Sequence, residues 1–587
     1  MNTLIELLEQ QQHEFADKPV FCFLDRRLQP QQSISFHALF QQAVALAASL
    51  QDRLPAREPV LLVLPHGYAF IHCFLACILA DVIPACRPLP RKGEWPVLDE
   101  LLKKLEFRYV ITLARFGKTL EQNLSSTDAV QVLFYEQLYP ANAQASCEQQ
   151  ATQTKSTQPW QRPTPQANAI AFLQFSSGTT GLPKGIQISH RNILANSASI
   201  RTAMGLTPRD ITLSWLPFHH DMGLIGHIIQ SLFTGMSTYF MAPAHFIARP
   251  LDWLSAMSTF AVSVSGAPNF GLQRCLQALA QTRPAVGSID LSCLRLLYSG
   301  SELINASTTA ALLSALQPYG LKPESFFACY GLAEATLFVC GHQGLRTHVQ
   351  DRQAGTSVCL GTEVASAGVR IMHEHSLREC AEGDIGEICI SNDSVAGYYP
   401  APPSSARPDL LRTGDLGFIY RSALYFSGRK PGRLKLHGRL LQAEPLECLL
   451  LNPHARPDIQ RLLLLQPEPR TETGTEALAG NDSSQLILVA ELCRNPQQQA
   501  ADLIASLGTD TWRLIGCSPQ QIILLPANSL PLTTSGKPIR SRCLALHETG
   551  AWQQYCHRQA PGFISSNDDN TDKDRLEDYS SGKEGRT

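Results

Sequence analysis

Short apolar runs alternate along the chain with longer stretches of helical length. The runs PVLLVLP (59–65), YVITLA (109–114) and LRLLYSG (294–300) have the length and composition of buried strands. The stretch AFIHCFLACILAD (69–81), which follows the first of them, is long enough for a buried helix. Strands that alternate with helices are typical of layered sheets covered by helices. The pattern therefore predicts an α/β fold.

Polar segments separate and end these apolar regions. Residues 143–168 and 468–485 have the composition of linkers or surface loops, and after about residue 557 the chain is too polar to bury a core. The N-terminal sequence MNTLIELLEQQQHEF predicts an amphipathic helix and lacks the pattern of an export signal. Because Asp81 and Pro84 interrupt the longest apolar run, we expect no integral membrane segment.

Length, charge and cysteine usage narrow the possible classes of protein. A chain of 587 residues exceeds one ordinary core, which predicts two or more domains. The net charge of -2 and the pI near 6.8 provide no basic surface, so we expect no nucleic acid partner. The 17 cysteines include no Cys-x-x-Cys pair, which indicates a reducing, cytoplasmic compartment.

The segment FLQFSSGTTGLPKGIQISHRN (172–192) carries a loop of small residues between two β-like runs. Small residues allow backbone N–H groups to converge on an anion such as a nucleotide phosphate. The loop is not a Walker sequence, because Lys184 precedes Gly185 and a β-like run instead of Ser or Thr and a helix. A phosphate-binding loop and a solvated turn are both compatible with this segment taken alone.

The segment SWLPFHHDMGLIGHIIQSLFTG (214–235) sets two histidines and an aspartate beside an apolar helix. Three consecutive side chains cannot all face one ion on a regular helix or strand, which argues against a metal cluster here. The HEH sequence at 373–375 lacks the spacing of a helical zinc pair, and we interpret it as surface.

Three further segments carry candidate chemistry. In FFACYGLAEATLFVCG (326–341), the ring of Tyr330, which precedes Gly331, could stack on a base, and the carboxylate of Glu334 could hold Mg²⁺. In LRTGDLGF (411–418), Asp415 could accept hydrogen bonds from a ribose diol, and LPLTTSGKPIR (530–540) presents Lys537 on a loop of small residues. Taken singly, each residue also fits an ordinary role: a core ring, a helix-start carboxylate, a tight turn or a surface lysine.

Read in order, these segments resemble the adenylate-forming superfamily of acyl-CoA synthetases, luciferases and peptide-synthetase adenylation domains. The resemblance covers roughly residues 10 to 545. Within it, SWLPFHHDMGLIG, SVSGAPNF (263–270) and CYGLAEATL are most similar to the fatty acyl-AMP ligases, which make acyl adenylates for acyl carrier proteins.

The resemblance implies a role for each motif residue. The phosphates of ATP would lie on the glycine-rich loop, adenine on the YSGSEL and Tyr-Gly motifs, and the ribose between an aspartate and an arginine. His220 would lie beside the substrate carboxylate and the α-phosphate, Glu334 would hold Mg²⁺, and Lys537 would be the catalytic lysine. The implied nucleotide-binding residues are Ser176, Ser177, Gly178, Thr179, Thr180, Gly181, Lys184, Gly300, Ser301, Glu302, Tyr330, Gly331, Asp415 and Arg429.

The resemblance also implies an architecture and a reaction. We expect a large AMP- and acyl-binding domain of layered sheets over residues 1–428, a small mobile α+β lid over 429–545 and a disordered tail over 546–587. A fatty acid would react with ATP to form acyl-AMP and pyrophosphate, and the acyl group would pass to the phosphopantetheine thiol of an acyl carrier protein in lipid or polyketide/peptide biosynthesis. The apolar helix after His220 and the SGAPNF segment would line the acyl tunnel.

Two departures from the family pattern keep other functions open. At the hinge, Pro431 and Gly432 stand where Lys and Asp are usual, which bears on the second half-reaction more than on adenylation. Only 18 residues, HQGLRTHVQDRQAGTSVC, separate Gly341 from Leu360, whereas fatty acyl-AMP ligases usually carry an insertion there that resists transfer to CoA. A fatty acyl-CoA ligase and a non-catalytic acyl- or nucleotide-binding homologue are therefore the alternatives.

Overall fold

The protein is described here by a computed structural model. It describes residues 1–90, 94–124, 130–140, 158–176, 184–349, 356–376, 378–400, 408–436, 439–451, 456, 458–467, 485–493, 500–533 and 537–558. A π-helical segment, Leu224–Ile229, joins two of the helices into one continuous rod. The helices are Leu4–Glu14, Phe36–Gln51, Tyr68–Leu79, Trp95–Lys104, Gly117–Asn123, Tyr135–Leu138, His190–Met204, Asp221–Gly223, Gln230–Thr234, Pro243–Ala248, Leu251–Thr259, Asn269–Gln281, Ala306–Leu316, Ala443–Leu451, Ala500–Ile515 and Arg540–Glu548.

An eight-stranded sheet forms the centre of the larger part of the molecule. In spatial order its described strands are Phe338–Gln343, Phe326–Gly331, Leu296–Ser299, Val264–Gly266, Ile211–Ser214, Ser237–Phe240, Pro19–Leu24 and Pro30–Ser35. The six inner strands are parallel, and the two edge strands are antiparallel to their neighbours. The carboxyl ends of the parallel strands meet at one edge, which is where open α/β sheets bind ligands.

A seven-stranded sheet stacks with the first. Its described strands, in spatial order, are Gly397–Tyr399, Lys184–Ser189, Ile170–Ser176, Ile83–Arg87, Pro59–Val63, Tyr109–Thr112 and Gln131–Phe134. Along Pro59–Val63, Val60 and Leu62 enter the core shared with the first sheet, whereas Leu61 and Val63 enter a core on the opposite face. Successive side chains of a strand point to opposite faces, so this apolar run reflects burial on both sides.

A third sheet carries Asp415 and leads into the C-terminal part. Its described strands are Val369–Met372, Gly386–Ile390, Leu411–Tyr420 and Ala423–Arg429, each antiparallel to the next. Two hairpins flank it along the chain. They are Thr347–Val349 with Thr356–Val358, and Arg433–Leu436 with Arg439–Gln442.

The C-terminal part has its own mixed sheet and cores. The described strands are Ile459–Leu465, Ile487–Leu492, Gln521–Leu525 and Cys556–Arg558. Leu462 and Leu464 face one core and Leu463 faces another, so both faces of this sheet are covered.

The end of the folded chain differs from the prediction that residues 546–558 belong to a disordered tail. The helix Arg540–Glu548 crosses the predicted boundary, and Trp552 is only 5% exposed within the last core. Cys556–Arg558 then adds an antiparallel strand to Gln521–Leu525. Burial of the Trp552 ring and this strand pairing order a segment that its polar composition does not mark as structured. Residues 559–587 lie outside the described residues.

The alternation of strands and helices is otherwise confirmed. The runs at 59–65, 109–114 and 294–300 form the strands Pro59–Val63, Tyr109–Thr112 and Leu296–Ser299. The stretch at 69–81 forms the helix Tyr68–Leu79, and the N-terminal segment forms the helix Leu4–Glu14. Among the helices that the structure describes, none combines the length and the apolar character needed to cross a bilayer.

Candidate active site

A cavity of about 1900 Å³ opens at the carboxyl ends of the parallel strands and extends beneath the C-terminal part. Side chains from the larger part and from the C-terminal part line it together. Most of the residues singled out from the sequence meet there. They are Lys184, His220, Gly300, Ser301, Glu302, Tyr330, Gly331, Glu334, Asp415, Arg429 and Lys537.

The glycine-rich segment lies in the sequence between two paired strands, and Lys184, which begins the second strand, lines the cavity. Ser176 ends one strand and Lys184 begins the next, and the two residues are partners in the antiparallel register. The Lys184 side chain is exposed, as expected of a cation available to a ligand. The loop residues Ser177, Gly178, Thr179, Thr180 and Gly181 lie outside the described residues.

A buried carboxylate connects the third sheet with the central sheet. Asp415 is 5% exposed, and it accepts a hydrogen bond from the Tyr330 hydroxyl at 2.8 Å. Its Oδ1 lies 3.0 Å from Nε of Arg429, its cross-strand partner in the register. Burial raises the Asp415 pKa, and the Arg429 charge and the Tyr330 hydrogen bond oppose that rise. The arrangement holds one carboxylate with acceptor capacity beside a cation, which suits a vicinal diol.

Lys537 reaches from the C-terminal part into the larger part. Its Nζ donates to the backbone carbonyl of Ser301, 236 positions earlier in the chain. The lysine loop is fixed locally, because the Lys537 N–H donates to Thr533 Oγ1 at 3.0 Å and the Thr533 N–H donates to the Lys537 carbonyl at 2.7 Å. Burial lowers the pKa of Lys537, and nearby Arg429 lowers it further while Glu302 opposes this. Lys537 Nζ thus reaches an oxygen acceptor at the cavity wall, and the lowered pKa means that its charged form is less favoured there than in water.

The turn that carries His219 and His220 directly precedes the helical rod, which begins at Asp221. His220 occupies the N-cap position of the helix Asp221–Gly223, and Gly223 permits the tight packing of this turn. A Cβ on Gly223 would lie 2.2 Å from the carbonyl oxygen of Pro217, closer than any side chain can approach. Gln174 donates to the carbonyl of His219 at 3.0 Å and so ties the turn to the neighbouring strand. Among the described residues, no group of three or more His, Cys, Asp and Glu side chains is arranged so that it could hold a metal ion.

Glu334 lies on a short turn at the edge of the cavity. Its pKa is raised by burial first and then by the carboxylates of Asp415 and Asp221, with Arg429 opposing. Asp221, Glu334 and Asp415 all line the cavity, so carboxylate oxygens are available to a divalent cation there. Mg²⁺ typically takes one or two protein carboxylates and completes its shell with phosphate oxygens and water, which fits this donor set.

Part of the cavity wall, named the apolar branch below, is formed by apolar residues from the core of the larger part. Its walls come from the helix His190–Met204, the π-helical segment and the central strands, and the lining is mostly aliphatic. Apolar lining residues include Ile200, Met204, Leu206, Met236, Val264 and Phe338. The branch also contains three polar side chains that are hydrogen-bonded to one another. The Tyr298 hydroxyl lies 2.5 Å from His227 Nε2, and Thr212 Oγ1 lies 3.3 Å from His227 Nδ1. Burial lowers the pKa of His227 to about 3, so this group of side chains carries no charge.

Two ion pairs bracket the altered hinge. Lys430–Gly432 forms a short 3₁₀ turn directly after Arg429. Before the turn's Pro431, Lys430 Nζ lies 2.9 Å from Oε2 of buried Glu387, and after Gly432 the guanidinium of Arg433 pairs with Glu374. Both acidic partners belong to the region of the third sheet. Glu387 lies on its strand Gly386–Ile390, and Glu374 follows its strand Val369–Met372.

Two residues that help to position this site, Gln174 and Asn196, were not identified from the sequence motifs. Gln174 and Asn196 are both buried amides, and each hydrogen-bonds the backbone next to a candidate functional residue. Their signal in the sequence is a polar amide within a buried face, in IAFLQFS and in ILANSAS. A buried amide that satisfies backbone groups of a distant segment fixes that segment in place.

Comparison with known proteins gives one family and several relatives. The AMP-binding enzyme family matches residues 8–399. The chain is 26% identical to the medium-chain-fatty-acid--[acyl-carrier-protein] ligase JamA of Moorena producens (strain JHB), over 94% of this chain and 96% of that protein. It is 27% identical to the ligase TtuA of the same description from Teredinibacter turnerae (strain ATCC 39867 / T7901), over 93% and 94%. A structure from studies of fatty acyl-adenylate ligases of E. coli and L. pneumophila superposes with a TM-score of 0.79 and 26% identity, covering 94% of this chain and 98% of that chain.

Proposed function

The chain belongs to the AMP-binding enzyme family, and we propose that it activates a fatty acid as acyl-AMP and then acylates the phosphopantetheine thiol of an acyl carrier protein. The observation that carries this proposal is the convergence of Lys537 from the C-terminal part with the Tyr330–Asp415–Arg429 cluster. The cleft that holds them continues into an apolar branch suited to a hydrocarbon chain. The printed activities of the two bacterial relatives support the carrier protein as acceptor.

In this proposal, different residues bind the ribose, the adenine and the phosphates of ATP. Asp415 and Arg429 bind the ribose, and Tyr330 lies beside adenine. Lys184 and the loop of residues 176–181 receive the β- and γ-phosphates. The remaining adenine-binding residues are Gly300, Ser301, Glu302 and Gly331.

Charge neutralisation explains why these residue types are needed. An oxygen of the fatty carboxylate attacks the α-phosphorus of ATP, and the bond from that phosphorus to the bridging oxygen of pyrophosphate breaks. Both reactants are anions, so their approach is opposed strongly in a cleft with little water. Lys537 places its positive charge at the phosphoryl oxygens, and His220 orients the carboxylate beside them. Mg²⁺ bound at Glu334 would add positive charge at the phosphates.

The second half-reaction uses the mixed anhydride as an electrophile. The thiol sulfur attacks the acyl carbonyl, the carbon–oxygen bond to AMP breaks, AMP leaves, and the thiol proton is released. We propose that residues 1–428 form the large domain and that the lid, placed at 429–545 from the sequence, extends to Arg558. The separate cores of the C-terminal sheet support a lid that moves as a unit. CoA is the competing acceptor, because the segment between Gly341 and Leu360 is short and its described residues form a small hairpin.

Single-turnover mass spectrometry tests the two half-reactions separately. Purified protein is mixed with ATP, Mg²⁺ and a pool of fatty acids, and then with either CoA or a holo acyl carrier protein. We expect acyl-AMP in the first step and acyl transfer only to the carrier protein in the second. Transfer to CoA instead would make the protein an acyl-CoA ligase.

Lys537→Ala separates catalysis from simple binding in the same assay. We expect it to abolish acyl-AMP formation, whereas Lys435→Ala, an exposed lysine of the C-terminal part, leaves the rate unchanged. Failure of the wild-type protein to form acyl-AMP or acyl-hydroxamate with any fatty acid would identify a non-catalytic binding protein.

A further inference from the structure

The turn that carries Glu334 has a strained backbone. It connects the strands Phe326–Gly331 and Phe338–Gln343, and Thr336 within it has φ 69° and ψ -63°. A β-branched residue is a true outlier at positive φ, and such a conformation is energetically unfavourable. Strain of this kind persists only where the surroundings impose it, and it occurs most often at functional sites.

One buried side chain clamps both sides of this turn. Asn196, on the helix His190–Met204, is fully buried. Its Nδ2 donates to the carbonyls of Ala335 at 3.3 Å and Phe338 at 2.7 Å. Its Oδ1 accepts from the N–H of Phe338 at 3.1 Å. All three hydrogen bonds of the amide are thus directed at the backbone that immediately follows Glu334.

Two more hydrogen bonds fasten the turn to the segment before the strand Gly397–Tyr399. The Thr336 hydroxyl donates to the carbonyl of Ser394 at 2.6 Å, and the N–H of Ala396 donates to the carbonyl of Glu334 at 2.9 Å. That segment is held by the same helix, because Asn192 donates to the carbonyl of Val395 at 3.0 Å. The helix therefore holds the turn directly and through its neighbour.

The Glu334 turn is held by more hydrogen bonds than a turn between two strands needs in order to reverse the chain. Five hydrogen bonds join residues 334–338 to Asn196 and to the segment before Gly397–Tyr399. A turn restrained in this way keeps the Glu334 carboxylate at the cavity, which is how preorganised sites are supported by residues outside direct contact.

We propose that Asn196 and Thr336 are positioning residues that hold the Glu334 carboxylate in place for the divalent cation of the bound nucleotide. The inference rests on the proposed nucleotide-dependent function. It assigns no contact with substrate to either residue. Loss of a supporting partner of a metal-binding carboxylate typically costs about 10–100-fold in metal affinity or activity.

Hydrogen exchange of the ligand-free full-length protein gives a readout that does not depend on activity. Asn196→Ala should speed exchange of the Phe338 amide at least tenfold, because that amide donates to the deleted side chain. Gln230→Ala is the matched control. Gln230 is a fully buried amide that donates to the carbonyl of Ser197 on the same helix, but it does not bond the Glu334 turn.

Binding of a non-hydrolysable ATP analogue, titrated with Mg²⁺ by calorimetry, then tests the function of the restraint. Asn196→Ala should raise the Mg²⁺ concentration for half-maximal tight binding about 10–100-fold and leave Mg²⁺-free binding within threefold. Gln230→Ala should leave both quantities unchanged. Equal Mg²⁺ titrations for wild type and Asn196→Ala, with the exchange already accelerated, would overturn the proposal.

Thr336 supplies a second test that does not depend on the folding of the Asn196 variant. Thr336→Val removes the hydroxyl that bonds Ser394 but keeps the shape of the side chain, and Thr336→Ser retains the hydroxyl. We expect the valine variant to weaken the Mg²⁺ response and the serine variant to restore it. Identical responses would refute a positioning role for the hydroxyl. If the wild-type protein bound no nucleotide at all, the proposed function would fail instead, which separates the two outcomes.

Discussion

Replacing Asp415 by asparagine removes one negative charge and almost no volume from the proposed ribose site. The carboxylate lies 3.0 Å from Arg429 and accepts from Tyr330 at 2.8 Å. At an effective dielectric constant of about 20, two charges at that separation attract by roughly 5.5 kcal/mol. The Arg429 side chain is 40% exposed, so solvent screening and desolvation reduce the net loss of stability to about 1–2 kcal/mol. We therefore expect Asp415→Asn to fold.

The effect on nucleotide binding should be larger and chemically selective. Hydrogen bonds to a charged group contribute about 1.5–3 kcal/mol, and about 1.4 kcal/mol corresponds to a tenfold change in affinity. Loss of one ribose hydroxyl contact then weakens binding about 10–100-fold. Calorimetry with a non-hydrolysable ATP analogue and with its 2′,3′-dideoxy counterpart measures this directly. Asp415→Asn should weaken the first strongly and leave the second within threefold.

The comparison between the two nucleotides decides the interpretation. Equal weakening of both by Asp415→Asn would show that the residue acts through the shape of the cleft and would refute the assignment to the ribose. Tyr330→Phe is the companion variant, because it deletes one hydrogen bond to Asp415 and keeps the charge. We expect it to weaken the hydroxyl-bearing nucleotide less than Asp415→Asn does.

Three further predictions concern acid–base behaviour, stability and packing. Burial lowers the pKa of Lys537, so the rate of acyl-AMP formation should begin to fall at a pH below the ordinary pKa of lysine. The residual activity of Lys537→Arg should persist to higher pH. Stopped-flow pH profiles in which both proteins lose activity over the same alkaline range would contradict this. Burial raises the Asp210 pKa, but hydrogen bonds from Arg295 and others lower it overall, so its stabilisation is present above the ordinary pKa of 3.8 and is lost as pH falls through the lowered value. Asp210→Asn should cost about 2–3 kcal/mol in urea unfolding at pH 7 and progressively less as the pH is lowered below 3.8, and a loss that does not change with pH would contradict this. Gly223→Ala should displace the His220 turn and lower the adenylation rate at least tenfold with little change in ATP affinity, and an unchanged rate would show that the turn tolerates a Cβ.

The local pattern of apolar and polar residues was sufficient to predict the layered α/β architecture. Both faces of Pro59–Val63 are buried, so an unbroken apolar run marks it as a strand without knowledge of its partners. The candidate residues from separate motifs meet because several follow parallel strands whose carboxyl ends share one edge. The implied roles of those residues remain predictions until the variants are measured.

Long-range features could not be read from the sequence. Nothing near Thr336 in the sequence predicts its positive φ, because the restraint comes from Asn196 and Ser394, which lie far away along the chain. The folded segment after residue 545 was missed for a related reason. Trp552 is a single ring among polar residues, and its burial depends on a strand formed 31 positions earlier, Gln521–Leu525.

The ion pairs around Lys430–Gly432 would oppose the rotation that we propose for the lid. A swivel at Gly432 can leave Lys430 on Glu387, but it must withdraw Arg433 from Glu374. The balance between a lid orientation that forms acyl-AMP and one that admits a thiol would then include the energy of this half-buried pair, which dissolved salt screens less than it screens a pair in open solvent. Substitutions at Glu374 or Arg433, neither of which lines the cavity, would thus change how readily the enzyme passes from its first half-reaction to its second.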